Sequence, residues 1–492
     1  MEKTFFGHPR GLSTLFFTEM WERFSYYGMR ALLFLFMVTT VEGGGLGLDE
    51  KTGGAIYGLY TMLVYLMALP GGWLADNIFG LRKTIFYGAT IIALGHFLLV
   101  FESLQTFFIG LFFIVVGTGM LKPNISTLVG ELYNKQDDAR RDSGYVIFFM
   151  GINVGAFIAP FVTGYFGEKV NWHYGFAIAG LGMVIGLIQY KMSEKHLGNI
   201  GKDVRPLSNK SKAIRWLLVV VLLLVMFFVA MLTGVFVPDP VWLAQISGYV
   251  ISVSGLLYFL YLIFFAKLNR ADQKNVITIF VFFFASVVFY IGYEQQGSSL
   301  NLFALRYTNM FIGGFEMPAS WLQSVPAVSV LLFAPVFAWL WIFLSKHGWN
   351  PSVQSKMSWG LIFVGISYLV MCGAALIVAK GGKALPTWLI ATYVLHTFGE
   401  ICLYPVGLSA VQKLAPKRFS AQLMGVWFLS LSLGNLMAGL LAGRMSAEAI
   451  NQNPSVLVNL FLTLAVVSIT VGSLLLIFAS NMHNAQTRIR DL

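Results

Sequence analysis

Charge is scarce in this sequence: Asp, Glu, Lys and Arg make up 11% of its 492 residues, against about 25% in a typical soluble domain. With 57% hydrophobic residues, the chain holds more apolar surface than one globular core hides, which excludes an ordinary water-soluble enzyme. Cysteine is nearly absent. Cys372 and Cys402 sit in apolar runs at neither a disulfide-framework nor a metal-ligand spacing and read as packing residues. A cleavable signal peptide is also missing, because the first apolar run is too long, lacks a small-residue cleavage site and contains ionisable groups. Neither H-E-x-x-H, G-x-S-x-G nor paired membrane aspartates occur, so nothing supplies a nucleophile or an activated water, and no enzyme is expected. Disorder is excluded by the 15% aromatic content.

What the chain does have is long apolar runs. A bilayer core about 30 Å thick needs roughly 20 apolar residues per helix. Such runs recur near 12–38, 53–76, 83–101, 105–131, 141–166, 173–191, 214–234, 241–266, 275–298, 319–345, 356–379, 387–413, 420–443 and 454–480. Only helices or closed barrels satisfy the backbone in lipid, and runs of this length predict helices. The expectation is an all-α polytopic membrane protein with fourteen transmembrane helices and a mean hydropathy of +0.74.

The net charge of +11 would suit a nucleic acid or an anionic partner, but its placement points to the membrane. With the N-terminus in the cytoplasm, Lys51, Lys169, Arg306, Lys380, Lys383 and Arg444 fall outside and Arg23, Arg30 and Lys122 within spans; the rest of the 33 Lys and Arg residues fall inside. The positive-inside rule then fixes the topology, with both termini cytoplasmic. The basic stretch from Lys191 to Arg215 reads as a linker between two halves and a solvated topological anchor, with lipid headgroup recognition as the alternative.

Ionisable residues inside spans carry the functional argument. These are Glu19, Glu22, Arg23, Arg30, Lys122, Glu294 and Glu400, and each costs several kcal/mol in hydrocarbon unless it faces protein or a wet cavity. In the first span, Glu19, Glu22, Arg23, Tyr26, Tyr27 and Arg30 recur at helical intervals and form one polar stripe, about 140° wide. At 1.5 Å rise per residue, Glu22 and Arg23 lie roughly 15 Å from one face, and Lys122 roughly 14 Å. Glu400, about 20 Å in from the outer end of its span, joins the same midplane layer. Cations from the N-terminal half and an anion from the C-terminal half match a zwitterion. A peptide would place its carboxylate on Arg23 and Lys122 and its ammonium on Glu400. Arg30 and Glu294 share a second, outer layer and can pair there; Glu294 then titrates with burial and with its distance from Arg30, which couples it to protons. Glu22, next to Arg23, is the second proton candidate, expected to exchange partners with Lys122.

Two prolines, Pro405 in GEICLYPVGLS and Pro326 in LQSVPAV, are expected to break helices beside these groups. Asn153, in GINVGAFIAP, is a neutral hydrogen-bonding group that either joins helices or touches substrate. His396 precedes Glu400 by one helical turn and can share its face, although a lone histidine is more often structural.

These fragments carry a resemblance. EMWERFSYYG resembles the E-x-x-E-R-F-x-Y-Y-G motif of the proton-dependent oligopeptide transporters. GGWLADNIFGLRKT (71–84) resembles that family's second-helix pattern and the major facilitator loop between helices 2 and 3; GTGMLKPNIS (117–126), FFMGINVGAF (148–157), EQQGSS (294–299) and GEICLYPVG (399–407) also look like its motifs. The resemblance implies a major facilitator fold of two six-helix bundles, 1–192 and 275–480, with a basic linker and two accessory helices between them (193–274) and a cytoplasmic tail (481–492). It implies symport of di- and tripeptides with protons by alternating access, in a bacterial inner membrane, with the proton as coupling ion, no cofactor, and a monomer as working unit. By motif position, Arg23, Tyr27 and Lys122 would hold the peptide carboxylate, Asn153 and Glu400 the amino terminus. Tyr26, Tyr65, Tyr290 and Trp427 would line side-chain pockets, and Glu19, Glu22, Arg30 and Glu294 would serve proton coupling. Two positions depart from the pattern. Gly58 stands where some relatives carry histidine, and Pro326 and Ala327 stand where others have Asn-Pro.

Overall fold

Apolar side chains on every face, with the backbone bonded within each segment, make helix the state that lipid permits. The computed structural model describes residues 4–133, 138–202, 210–235, 237–349 and 351–490, so Arg205, in the basic linker, lies outside them. The helices are α1 (Gly11–Val38), α2 (Glu50–Leu66), α3 (Ala68–Leu74), α4 (Leu81–Leu98), α5 (Leu104–Glu131), α6 (Asp138–Lys169), α7 (Trp172–Ser193), α8 (Lys210–Leu232) and α9 (Pro240–Phe264). They continue as α10 (Arg270–Tyr293), α11 (Ser299–Tyr307), α12 (Val325–Lys346), α13 (Val353–Ala379), α14 (Pro386–Leu414), α15 (Ser420–Ala442), α16 (Ala447–Gln452) and α17 (Ser455–Arg490). A helix stands at each expected span. Among the described residues, eleven spans are long and apolar enough to cross a membrane. The other three expected spans coincide with α1, which carries the charged stripe, with α4, which has Arg82 and Lys83 in its first turn, and with α8.

By contact the chain divides into two units, one of Met1–Leu32 and Leu63–Leu243, the other of Leu33–Met62 and Ala244–Leu492. The second therefore takes in the end of α1 and most of α2. In the first unit α4 packs along α5 and α7, and α3 along α5. Glycine sets how near these backbones come: a Cβ on Gly71 would lie 1.9 Å from the Gly119 carbonyl oxygen. In the second unit α13 packs on α14 and α17, and α10 on α15. Two glycines one turn apart on α2 meet α15 here. A Cβ on Gly54 would lie 2.4 Å from the Gly439 carbonyl oxygen, and one on Gly58 2.8 Å from that of Leu436. This is the small-residue contact by which membrane helices approach closely. A side chain at Gly58 would meet the backbone of α15 in this arrangement, which explains the glycine there.

The structure corrects three expectations. Pro326 does not break a helix: it sits in the first turn of α12 after a 3-10 turn over Ala319–Ser324, where the missing N–H is an orphan in any case. Pro405 lies inside an uninterrupted α14; it removes the donor to the Ile401 carbonyl without ending the helix. The run expected to end at residue 298 is instead interrupted at Glu294–Gly297 by a 3-10 turn and resumes as α11. The Tyr368 hydroxyl donates to the Gly292 carbonyl oxygen at 2.6 Å, satisfying a backbone group released by that interruption. The chain then turns through a short hairpin, β1 (Phe311–Ile312) and β2 (Phe315–Glu316), over Gly313 and Gly314, whose φ values are +58° and +87° as such a two-residue turn requires.

The glycine contact gives a direct test. Gly119→Val forces α3 and α5 apart at an overpacking cost of about 1–3 kcal/mol, so the purified variant should lose its monodisperse state several degrees below the wild type on heating. Equal melting would contradict the close approach.

Candidate functional site

In the first unit the stripe on α1 is buried as one charged cluster. Glu19, Glu22 and Arg23 are each no more than 2% exposed, and Tyr26 and Arg30 are also buried. The Arg23 Nε donates to the Glu22 carboxylate beside it and forms an ion pair with Glu19 Oε1 at 3.2 Å, one helical turn back. The Arg23 guanidinium lies 5.1 Å from the Tyr26 ring centre and 6.0 Å from that of Tyr27, and Arg30 lies 6.0 Å from Tyr27. Both rings thus lie within cation–π reach of a guanidinium. From α5, Lys122 places its ammonium 4.5 Å over the Tyr65 ring of α2 and acts electrostatically on Glu19.

The cluster thus holds Glu19 and Glu22 with Arg23 on one face of α1, with the Lys122 ammonium acting on Glu19. Glu19 Oε2, Glu22 Oε1 and Arg23 Nη2 are buried with no hydrogen-bond partner among the described residues. Such groups are costly to leave unsatisfied, and the open Arg23 Nη2 donor suits a carboxylate. The stripe is supported from behind: Ser25 bonds His96 Nε2 of α4 at 2.7 Å, and Gly155 of α6 brings that helix against the α1 backbone, where a Cβ would lie 2.2 Å from the Met20 carbonyl oxygen. Asn153 is buried on α6, its amide donating to the Phe149 carbonyl oxygen at 2.9 Å; that bond lies within its own helix.

The second unit has carboxylates of its own, Glu294 and Glu400. The Tyr293 hydroxyl of α10 donates to Glu400 Oε2 of α14 at 2.6 Å, a charge-assisted bond that orients the carboxylate. Tyr293 also stacks on Phe289 at 5.4 Å and meets Tyr290 edge-on at 6.1 Å. His396 lies one turn before Glu400, with its ring 5.9 Å from Tyr293 and 5.4 Å from Tyr368. Neither of its nitrogens has a hydrogen-bond partner among the described residues. Glu294 is 3% exposed and caps the end of α10. Gln295 beside it donates to the carbonyl oxygens of Ile291 at 3.1 Å and Ala438 at 3.3 Å, tying the turn to α15. Trp427 of α15 is buried, with its ring against Gly407 of α14.

The structure therefore brings together Glu19, Glu22, Arg23, Tyr26, Tyr27 and Arg30, then Tyr65 with Lys122, and in the other unit Tyr290 with Glu400 through Tyr293. Sequence reasoning missed Tyr293. Its spacing of three from Tyr290 and its place beside Glu294 were the available signal. No group of three His, Cys, Asp or Glu side chains able to hold a metal occurs among the described residues.

Lipid-length helices built around buried ion pairs define a polytopic membrane carrier. Residues 82–458 match the profile of the POT family. A peptide transporter of Yersinia enterocolitica is 40% identical over 497 aligned residues, covering 98% of this chain and 97% of the relative. Among solved structures, a peptide transporter POT in complex with sulfate is 38% identical with a TM-score of 0.90, covering 98% of this chain and 96% of that one. A POT family transporter in complex with 5-aminolevulinic acid is 34% identical with a TM-score of 0.87, over 98% of both chains. The chain belongs to the POT family; it is a membrane transporter of the major facilitator type and not an enzyme.

Arg23→Met leaves two buried carboxylates uncompensated, a loss of about 3–5 kcal/mol, and should sharply reduce the yield of folded protein. The triple variant Glu19→Gln/Glu22→Gln/Arg23→Met should recover much of it. No recovery in size-exclusion profiles would show that the ion pairs are not what holds this region.

Proposed function

We propose that this protein imports di- and tripeptides with protons by alternating access. The observation that carries the reading is an under-bonded guanidinium in the first unit and an oriented carboxylate in the second. Arg23 is buried with an unsatisfied Nη2, and Glu400 is oriented by Tyr293. A peptide carboxylate takes Arg23 and Lys122, and its ammonium takes Glu400; Tyr27 and Asn153 complete these ends, and Tyr26, Tyr65, Tyr290 and Trp427 meet its side chains. A simple anion would have no use for Glu400. Relatives named as peptide transporters support the substrate class.

Glu294 is the principal proton site, with Glu19 and Glu22 beside Arg23 as the others. Ionised, a buried carboxylate demands a cation, and Arg30 on α1 is the partner of suitable depth; protonated, it makes no such demand. Proton uptake thus changes which conformation is favoured, which is all that a coupling ion has to do. The setting is a bacterial inner membrane, with both termini cytoplasmic and a monomer as the working unit. The proton is the only coupling species, and no cofactor takes part.

In liposomes with an imposed pH gradient, Glu294→Gln should lose gradient-driven accumulation of a labelled dipeptide while keeping counterflow exchange. Undiminished accumulation by the variant would remove Glu294 from the coupling step.

A further inference from the structure

At the end of the first unit where the N-terminus enters, a cleft of about 420 Å³ opens between the start of α1 and the end of α7. It is lined by Arg10, Gln189, Ser193, Lys195 and His196, with Ile185, Ile188 and Met192 on one side. The polar and apolar parts are separated. Ile185, Ile188 and Met192 recur at helical spacing on one face of α7 and are 46%, 55% and 73% exposed, as acyl-chain contacts would be. Arg10 and Lys195 are exposed at the polar side, and neither is paired with a carboxylate among the described residues. Glu194, the acidic neighbour, is instead held by Lys191 at 2.9 Å, so the cleft keeps its positive charge.

The cleft also has a built floor. Thr18 donates to Gln189 Oε1 at 3.0 Å, Gln189 Nε2 to Ser193 Oγ at 3.0 Å, and Thr14 to the Ser193 carbonyl oxygen at 3.1 Å. These bonds consume the polar atoms of α7 internally. His196 differs: both ring nitrogens are buried and have no hydrogen-bond partner among the described residues.

We propose that this cleft binds the headgroup of an anionic phospholipid. The phosphodiester sits between Arg10 and Lys195 and accepts a hydrogen bond from His196, and an acyl chain runs along Ile185, Ile188 and Met192. Charge complementarity selects the negative headgroup, and the adjoining apolar face selects a lipid over a soluble anion. The site ties the ends of α1 and α7 to lipid composition, independently of what the protein carries.

Native mass spectrometry of the purified full chain tests this, with phosphatidylglycerol and phosphatidylcholine added in equal amounts. The wild type should retain phosphatidylglycerol preferentially. Arg10→Gln/Lys195→Gln should retain about 30-fold less, while the charge-preserving Arg10→Lys/Lys195→Arg keeps it. Ile188→Gln/Met192→Gln should weaken retention with the charges intact. Equal retention by the wild type and the charge-removed variant would overturn the proposal. So would displacement of the lipid by inorganic phosphate at matched concentration, which would assign the cleft to a soluble anion.

Discussion

The structure depends first on the compensation of one buried guanidinium. Arg23 lies deep in α1 and is held between Glu19 and Glu22 of its own helix, so the helix enters the membrane with its costliest charge already paired. Pairing along one helix is local and does not require a second element to arrive in register. What it leaves behind, one guanidinium nitrogen and one oxygen of each carboxylate, is an unsatisfied polar surface in a setting where water is scarce. A ligand with its own fixed charges answers that need better than water, because it brings the counter-charge and the hydrogen bonds together.

The second unit solves the same problem differently. Glu400 is oriented by a phenol from another helix, and Glu294 sits where α10 gives way to a 3-10 turn. A helix interrupted beside an ionisable side chain releases backbone groups that neighbouring side chains must satisfy, as Tyr368 does for Gly292. The glycine contacts of α2 with α15 rest on close backbone approach without interdigitated side chains, so packing alone opposes separation.

Much of this was legible in the sequence. Apolar runs located a helix at every expected span, and the interval of the charges on α1 gave their common face, because a 3.6-residue period leaves no other arrangement. The family that EMWERFSYYG and GEICLYPVG pointed to is the one whose profile matches residues 82–458. Other features were not legible. Pro326 and Pro405 read as helix breaks, yet proline at a first turn costs nothing and membrane neighbours tolerate it inside a helix. The interruption at Glu294 was hidden because Gly297 and Ser298 are compatible with either state, and tertiary packing decides. Tyr293 escaped notice because an aromatic in an apolar run reads as core until its hydroxyl finds a carboxylate. Gly58 looked like a lost functional group and proved to be a packing requirement.

The proposed recognition of the peptide ammonium by Glu400 is tested most directly by a chemical double-mutant cycle. Inhibition of labelled dialanine uptake is measured with dialanine and with its N-acetyl derivative, on the wild type and on Glu400→Gln. The account predicts that acetylation weakens inhibition of the wild type by about tenfold or more and changes that of the variant little. The same loss in both proteins would contradict it.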